Sequence, residues 1–199
     1  MSQRLQGLTQ SEIRAMTRAA DAVGAINLGQ GICDLPTPAP VADAAVQAIR
    51  DRKSTYTYCE GDAGLRRKIA AKLARVNGIE ADPETDIVVT AGSAAAFTCV
   101  LHGLFDPGDE LLIPEPYYGY HVGAARVAGV VPAYVGLRAP GFELTEELLR
   151  AAITPRTRGL VLCTPSNPSG RMLNRAELDV AARVAEEFDH HPEWSNVYG

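Results

Sequence analysis

"LVLCTPSNPSG", Leu160 to Gly170, is the stretch that decides how this chain is read. Leu160 to Cys163 is a short apolar run and reads as a buried strand, and Pro165, Asn167, Pro168 and Gly170 then end it in a loop. A strand that runs into a loop with two prolines, a glycine and one amide side chain raises a question about what Asn167 is held there to touch. It also raises the question of whether the chain carries the rest of what such a contact needs.

Outward from this stretch, strand-like and helix-like segments alternate, the pattern of an α/β protein with a mostly parallel sheet. Upstream, "TPAPVADAAVQAIRD" opens with prolines suited to a helix start and puts Val41, Ala45, Ala48 and Ile49 on one face. "GLRRKIAAKLARVNG" carries Leu65, Ile69, Leu73 and Val76 on one stripe and stops at Gly78, a natural residue just past a helix end. The strand "DIVVT", the helix "SAAAFTCVLHGLF", the turn "DPGD", the strand "ELLIP" and a helix from about Tyr117 to Val127 follow. "VVPAYVGL" reads as a strand, Thr145 caps "EELLRAAI", and Asn174 with Glu177 forms a capping box that starts "RAELDVAARVAEEF". Ile87–Thr90, Glu110–Ile113 and Gly159–Cys163 are expected as strands of one sheet with helices on both faces. After Phe188 the pattern fails.

Composition bounds the function. The chain has 199 residues, 46% hydrophobic and 22% charged, with a formal net charge of -5, which is globular and long enough to bury a core. The 19 basic residues are scattered and form no aromatic-interleaved stripe, which argues against nucleic acid as a partner. The opening residues show no apolar signal region and no run of about 18 apolar residues occurs, so neither export nor a membrane span is expected and the chain reads as cytoplasmic. Cys33, Cys59, Cys99 and Cys163 are widely spaced, without a CxxC pair or a histidine at ligand spacing, and read as reduced thiols rather than as a metal or disulfide framework.

Two places in the series could hold a phosphorylated small molecule. In "VVTAGSAAAF" a strand leads through Gly92 and Ser93 into a helix start, where unpaired N–H groups, a hydroxyl and the positive helix end converge. The same residues also fit an ordinary turn with Ser93 as the N-cap. "PEPYYGY" follows a strand at the carboxyl end, where open α/β sheets bind ligands. There Tyr117, Tyr118 and Tyr120 fit either a platform for a flat ring or packing against neighbouring helices. "GQG", Gly29 to Gly31, is not a dinucleotide fingerprint, because Asp34 stands where the third glycine belongs and no helix starts there.

These segments together resemble the class I and II aminotransferases, pyridoxal 5′-phosphate (PLP) enzymes of fold type I. "TPSNPSG" is similar to that family's N-P-x-N-P-[ST]-G loop, "INLGQGICDLPTP" to its L-x-x-G-x-P-D-F-x-T-P segment, "TYTYCEGDAGLRRKIA" to its K-Y-x-x-x-x-G-x-x-x-L-R segment, and "TAGSAAAF" to its phosphate cup. Each match is short, and their agreement in order over about residues 25 to 188 makes the resemblance specific. It implies a three-layer α/β/α fold with a mostly parallel sheet, present here in part. Residues 1–45 would be an N-terminal arm with part of the small domain, 46–189 the first part of the large PLP-binding domain, and 190–199 a divergent tail.

The resemblance also implies roles. Asn167 would donate to the PLP 3′-oxygen, Tyr118 would stack on the pyridine ring, and Gly92, Ser93 and Ala94 would hold the phosphate. Tyr56 would reach the phosphate bound by a neighbouring subunit, which implies a homodimer, and the Gly31 N–H would meet the carboxylate of the amino-acid or 2-oxo-acid substrate. Cys33 and Leu35 depart from the family's usual proline and phenylalanine on the substrate side.

What the resemblance requires and the sequence does not show is the lysine that anchors PLP as a Schiff base and moves the proton. The family's lysine follows the asparagine loop, whereas this chain's lysines are Lys53, Lys68 and Lys72. The later aspartate for the ring nitrogen and arginine for the substrate carboxylate are not recognised either; Asp189 lacks a strand pattern around it, and His190 and His191 read as tail residues. The sequence is therefore expected to be the front half of an aminotransferase, inactive alone for want of that lysine. The alternatives are a non-catalytic remnant or dimerisation partner or, if completed, a carbon–sulfur or other carbon–heteroatom lyase.

Overall fold

The computed structural model describes residues 12–188 apart from Gln30, Ile32 and Asp34, so the expectations for Asp189, His190, His191 and the tail lie outside the described residues. Two compact units divide between Thr90 and Ala91.

In the first unit, α1 (Glu12–Val23) and α2 (Ala39–Arg50) are followed by α3 (Ala63–Lys72) and a π-helical turn, Leu73–Asn77. α2 begins after Pro38 as its prolines suggest, but none of its residues is buried, and Val41 and Ile49 of its apolar face are exposed. α3 is capped by Asp62, whose Oδ1 accepts from the Leu65 N–H at 2.8 Å, and the π-turn closes at Gly78 with φ +68°, a left-handed end that glycine adopts without strain. Arg66 is 3% exposed and donates to the Pro83 carbonyl and, at 3.2 Å, to Glu84.

The expected strand Ile87–Thr90 is not one. A strand exists through its ladder, and among the described residues this segment pairs in no ladder, although the Val89 N–H donates to the Glu60 carbonyl at 3.0 Å. β-branched composition supplied the propensity but not a partner.

The second unit is built on three parallel strands, β1 (Glu110–Glu115), β2 (Val131–Gly136) and β3 (Thr157–Leu160), in the order β2-β1-β3. β1 pairs with β2 in unbroken register from Glu110↔Val131 to Glu115↔Gly136, while the β1–β3 ladder is offset after Glu110↔Thr157. β3 ends at Leu160, short of the expected Cys163, though the Val161 N–H still reaches the Leu112 carbonyl at 3.0 Å. Among the described residues, four helices flank the sheet: α4 (Gly92–Leu104), α5 (Gly119–Ala128), α6 (Glu146–Ala152) and α7 (Arg175–Phe188).

The two-residue period of β1 divides the core. Leu111 and Ile113 pack with Phe97 and Leu101 of α4 and with Val122 and Ala125 of α5. Leu112 points the other way, into a cluster with Val135, Leu149 of α6 and Ala181 and Val184 of α7. Helices thus cover both faces of a parallel sheet, the expected three-layer α/β/α arrangement, and the carboxyl ends of β1 and β3 open toward the same loops.

Candidate functional site

At those carboxyl ends lies an open pocket with about 530 Å³ of space counted out to its mouth. One wall is the stretch after β1, with Pro116, Tyr117, Tyr118 and His121; the other is the loop after β3, with Cys163, Ser166, Asn167, Ser169 and Arg171. Apolar residues such as Leu137, Phe142 and Leu162 complete it, and no carboxylate lines it.

The loop after β3 is held by its own backbone. The Ser166 N–H donates to the Arg171 carbonyl at 2.8 Å, and the Gly170 N–H to the Ser166 carbonyl at 2.7 Å. Gly170 sits at φ +70°, the left-handed conformation this turn requires. Thr164 Oγ1 accepts from the Leu173 N–H at 2.9 Å. This frame leaves Asn167 at the tip, exposed and on the pocket wall.

Below the loop, the expected capping box forms: Asn174 Oδ1 accepts from the Glu177 N–H at 3.1 Å, and Glu177 Oε2 from the Asn174 N–H at 2.9 Å. Glu177 has further partners that its local pattern did not indicate, the Leu144 N–H at 2.9 Å and Arg171 Nη2 at 2.7 Å. Burial acts to raise its pKa, but the Asn174 and Leu144 N–H groups and the Arg171 guanidinium prevail and hold it below the usual glutamate range. Arg171 lines the pocket with its charge already met by a buried carboxylate.

The tyrosines of "PEPYYGY" divide into separate tasks. Tyr117 stacks on Tyr134 at 5.4 Å between centroids, and burial pushes its phenol pKa up. Tyr118, the residue before α5, presents its ring to the pocket and is 41% exposed. Tyr120 turns to α4: its hydroxyl donates to the Ala94 carbonyl at 2.7 Å and lies 3.0 Å from Thr98 Oγ1. His121 meets Tyr118 edge-on at 5.5 Å and Phe97 at 5.0 Å, and burial keeps its pKa below the usual histidine value.

Gly92, Ser93 and Ala94 are exposed at the start of α4 and are not part of the pocket lining; the Tyr120–Ala94 bond ties that first turn to α5. Ser93 is not the N-cap. The cap position is Ala91, whose side chain makes no cap bond, and Gly92 enters the helix at φ +81° with nothing within 4 Å of where a Cβ would stand. A helix start of this kind favours an anion.

Gly31 and Tyr56 belong to the first unit, where both are exposed. All three lysines are there too: Lys53 pairs with Asp51 at 3.6 Å, and Lys68 and Lys72 lie exposed on α3. Tyr120 and His121 were not singled out in sequence for the places they take; three tyrosines within seven residues marked the segment but not which one turns where. Among the described residues, no cluster of three or more histidine, cysteine, aspartate or glutamate side chains could hold a metal, and no helix is long and apolar enough to cross a membrane.

This fold and this loop define a class. The chain matches the model of the family "Aminotransferase class I and II" over residues 23–198, and it belongs to that family. The match takes in residues 190–198, the part read in sequence as a divergent tail.

Its relatives carry more particular names. The chain is 38% identical over 184 residues to the "Probable N-succinyldiaminopimelate aminotransferase DapC" of Mycobacterium tuberculosis, covering 92% of this chain and 46% of that protein. It is 35% identical over 190 residues to the aspartate aminotransferase of Geobacillus stearothermophilus, covering 92% and 48%. Among solved structures, N-succinyldiaminopimelate aminotransferase from Mycobacterium tuberculosis superposes with a TM-score of 0.87 at 37% identity over 93% of this chain and 49% of that one. The aspartate aminotransferase from Thermus thermophilus with maleate superposes at 0.87 and 34% over 95% and 51%. The chain spans about half the length of the curated relatives it matches.

Proposed function

We propose that residues 91–188 form the ring and phosphate part of a PLP site in an enzyme that transfers an amino group between an amino acid and a 2-oxo acid. The observation that carries this is that Tyr118 and Asn167, from the ends of different strands, line one pocket at the carboxyl edge of the sheet. The donor set suits the cofactor. An exposed aromatic face and an amide meet a flat phenolic heterocycle, a helix start meets a dianion, and a pocket wall free of carboxylates does not repel the phosphate.

Bound PLP supplies an electron sink for the bonds at the substrate α-carbon. The chain's own residues orient it. Asn167 donates to the phenolic oxygen and favours its ionised form, Tyr118 covers one ring face, and the N–H groups of Gly92, Ser93 and Ala94 with the Ser93 hydroxyl hold the phosphate. Gly31 serves the substrate carboxylate and Tyr56 the phosphate bound by a second copy, so the working assembly is a cytoplasmic homodimer with composite sites.

None of Lys53, Lys68 and Lys72 is the anchoring lysine in this reading. Each is exposed and belongs to residues 12–90, and the family's lysine follows the asparagine loop. The 199 residues by themselves therefore bind the cofactor weakly and turn over no more than trace substrate. The test pairs the PLP absorbance spectrum, with and without the chain, with transamination from a panel of amino-acid donors to 2-oxoglutarate. A saturable spectral change with trace turnover is expected. A folded chain that leaves the spectrum unchanged, or robust turnover that survives replacement of each of the three lysines, overturns the reading.

A further inference from the structure

Tyr120 lies 26 residues from Ala94 in sequence, and its hydroxyl donates to the Ala94 carbonyl at 2.7 Å. Ala94 belongs to the first turn of α4, the turn that also carries Gly92 and Ser93. A carbonyl this near the start of a helix has its intrahelical partner one turn on, and here it also accepts from Thr98 Oγ1 at 3.0 Å, so both hydroxyls converge on one oxygen and on each other. The Tyr120 ring rests against Phe97 at 6.2 Å between centroids. Tyr120 is the second residue of α5, whose start is set by Tyr118, and the Tyr118 and Tyr120 rings are 6.1 Å apart.

From this we infer that Tyr120 is a positioning residue: it fixes the first turn of α4 to the start of α5, so that the phosphate-holding N–H groups stand at a set distance from the ring-covering Tyr118. This rests on the reading that α4 takes the phosphate and Tyr118 the ring. The physical case is one of preorganisation. Ala91 at the cap position of α4 has no side-chain oxygen to fix that turn, and Gly92 enters it at φ +81°. The tether from α5 holds the turn from outside the helix. A phosphorylated ring needs both ends of the site at once, whereas an unphosphorylated ring needs only the Tyr118 and Asn167 end.

The test uses pyridoxamine 5′-phosphate and pyridoxamine, which cannot condense with lysines, titrated calorimetrically into the wild-type chain, Tyr120→Phe and Thr98→Val. Tyr120→Phe keeps the ring against Phe97 and removes the hydroxyl. It is expected to weaken the phosphorylated ligand about three- to tenfold, the range of one hydrogen bond, and pyridoxamine less than about twofold. Thr98→Val, which takes the second hydroxyl from the same carbonyl, shifts the ratio in the same direction by less, and it decides the matter if Tyr120→Phe does not fold. General loosening of the fold weakens both ligands alike and counts against the inference. An unchanged ratio in the folded variants overturns the role of Tyr120 alone. A wild-type chain that binds pyridoxamine 5′-phosphate no better than pyridoxamine overturns the phosphate reading of α4 itself.

Discussion

The imidazole of His121 stands edge-on to the ring of Tyr118, centroids 5.5 Å apart and planes at 89°. Burial keeps the His121 pKa below the usual 6.5, so on acidification the unfolded chain takes up this proton before the folded one does. The contribution of His121 to stability is therefore complete above the unfolded pKa and declines as pH falls through it, levelling off below the folded pKa. Urea unfolding at a series of pH values should show His121→Phe with a shallower loss of stability between neutral and mildly acid pH than wild type. Equal slopes would contradict the burial of this imidazole.

Asn167 is held at its loop tip by the backbone bonds of Ser166 and Gly170, so its side chain is open to change without loss of the frame. Asn167→Ala should weaken pyridoxamine 5′-phosphate about three- to tenfold, the range of one hydrogen bond, with an unchanged melting temperature. Asn167→Asp should be worse, since a carboxylate beside the phenolic oxygen repels its ionised form. Calorimetric titration and a thermal melt read both quantities.

Glu177 joins the start of α7 to Leu144 and Arg171. Asn174→Ala removes a cap and should cost about 1 kcal/mol. Glu177→Ala removes the buried carboxylate that meets the half-buried Arg171 guanidinium and leaves the Leu144 N–H unmet, and it should cost about 2 to 3 kcal/mol. The ordering of the two in denaturant unfolding is the check.

Gly159 lies in β3 where a Cβ would stand 2.6 Å from Phe105 Cζ and 3.1 Å from Leu111 Cδ1. Gly159→Ala should destabilise the fold by about 1 to 3 kcal/mol through overpacking. A variant as stable as wild type would show that Phe105 can withdraw.

What the sequence revealed was mostly local. Thr145, whose Oγ1 accepts from the Leu148 N–H, the Asn174–Glu177 box and the left-handed Gly78 all follow from a few neighbouring residues, and each forms where its pattern put it. The asparagine loop was legible because its prolines and glycine fix its backbone. Ile87–Thr90 was misread because a strand depends on a partner chosen elsewhere in the chain. The bond from Tyr120 to Ala94 left no periodic trace, and neither did Glu177's contact with Leu144, since both join residues far apart in sequence. The apolar face of α2 was read correctly as a pattern, yet Val41 and Ile49 are exposed, because periodicity states what a face is made of and not whether something covers it.

The central claim is that Gly92, Ser93, Ala94, Tyr118 and Asn167 make one cofactor site. Its most direct test is a ¹H–¹⁵N correlation spectrum of the chain titrated with pyridoxamine 5′-phosphate. The account predicts saturable shifts concentrated at the amides of residues 92–94 and 118 and at the Asn167 side-chain amide, with one common affinity, and shifts at 92–94 that shrink when unphosphorylated pyridoxamine is used. Shifts centred elsewhere, or two groups of residues that saturate with different affinities, would contradict it.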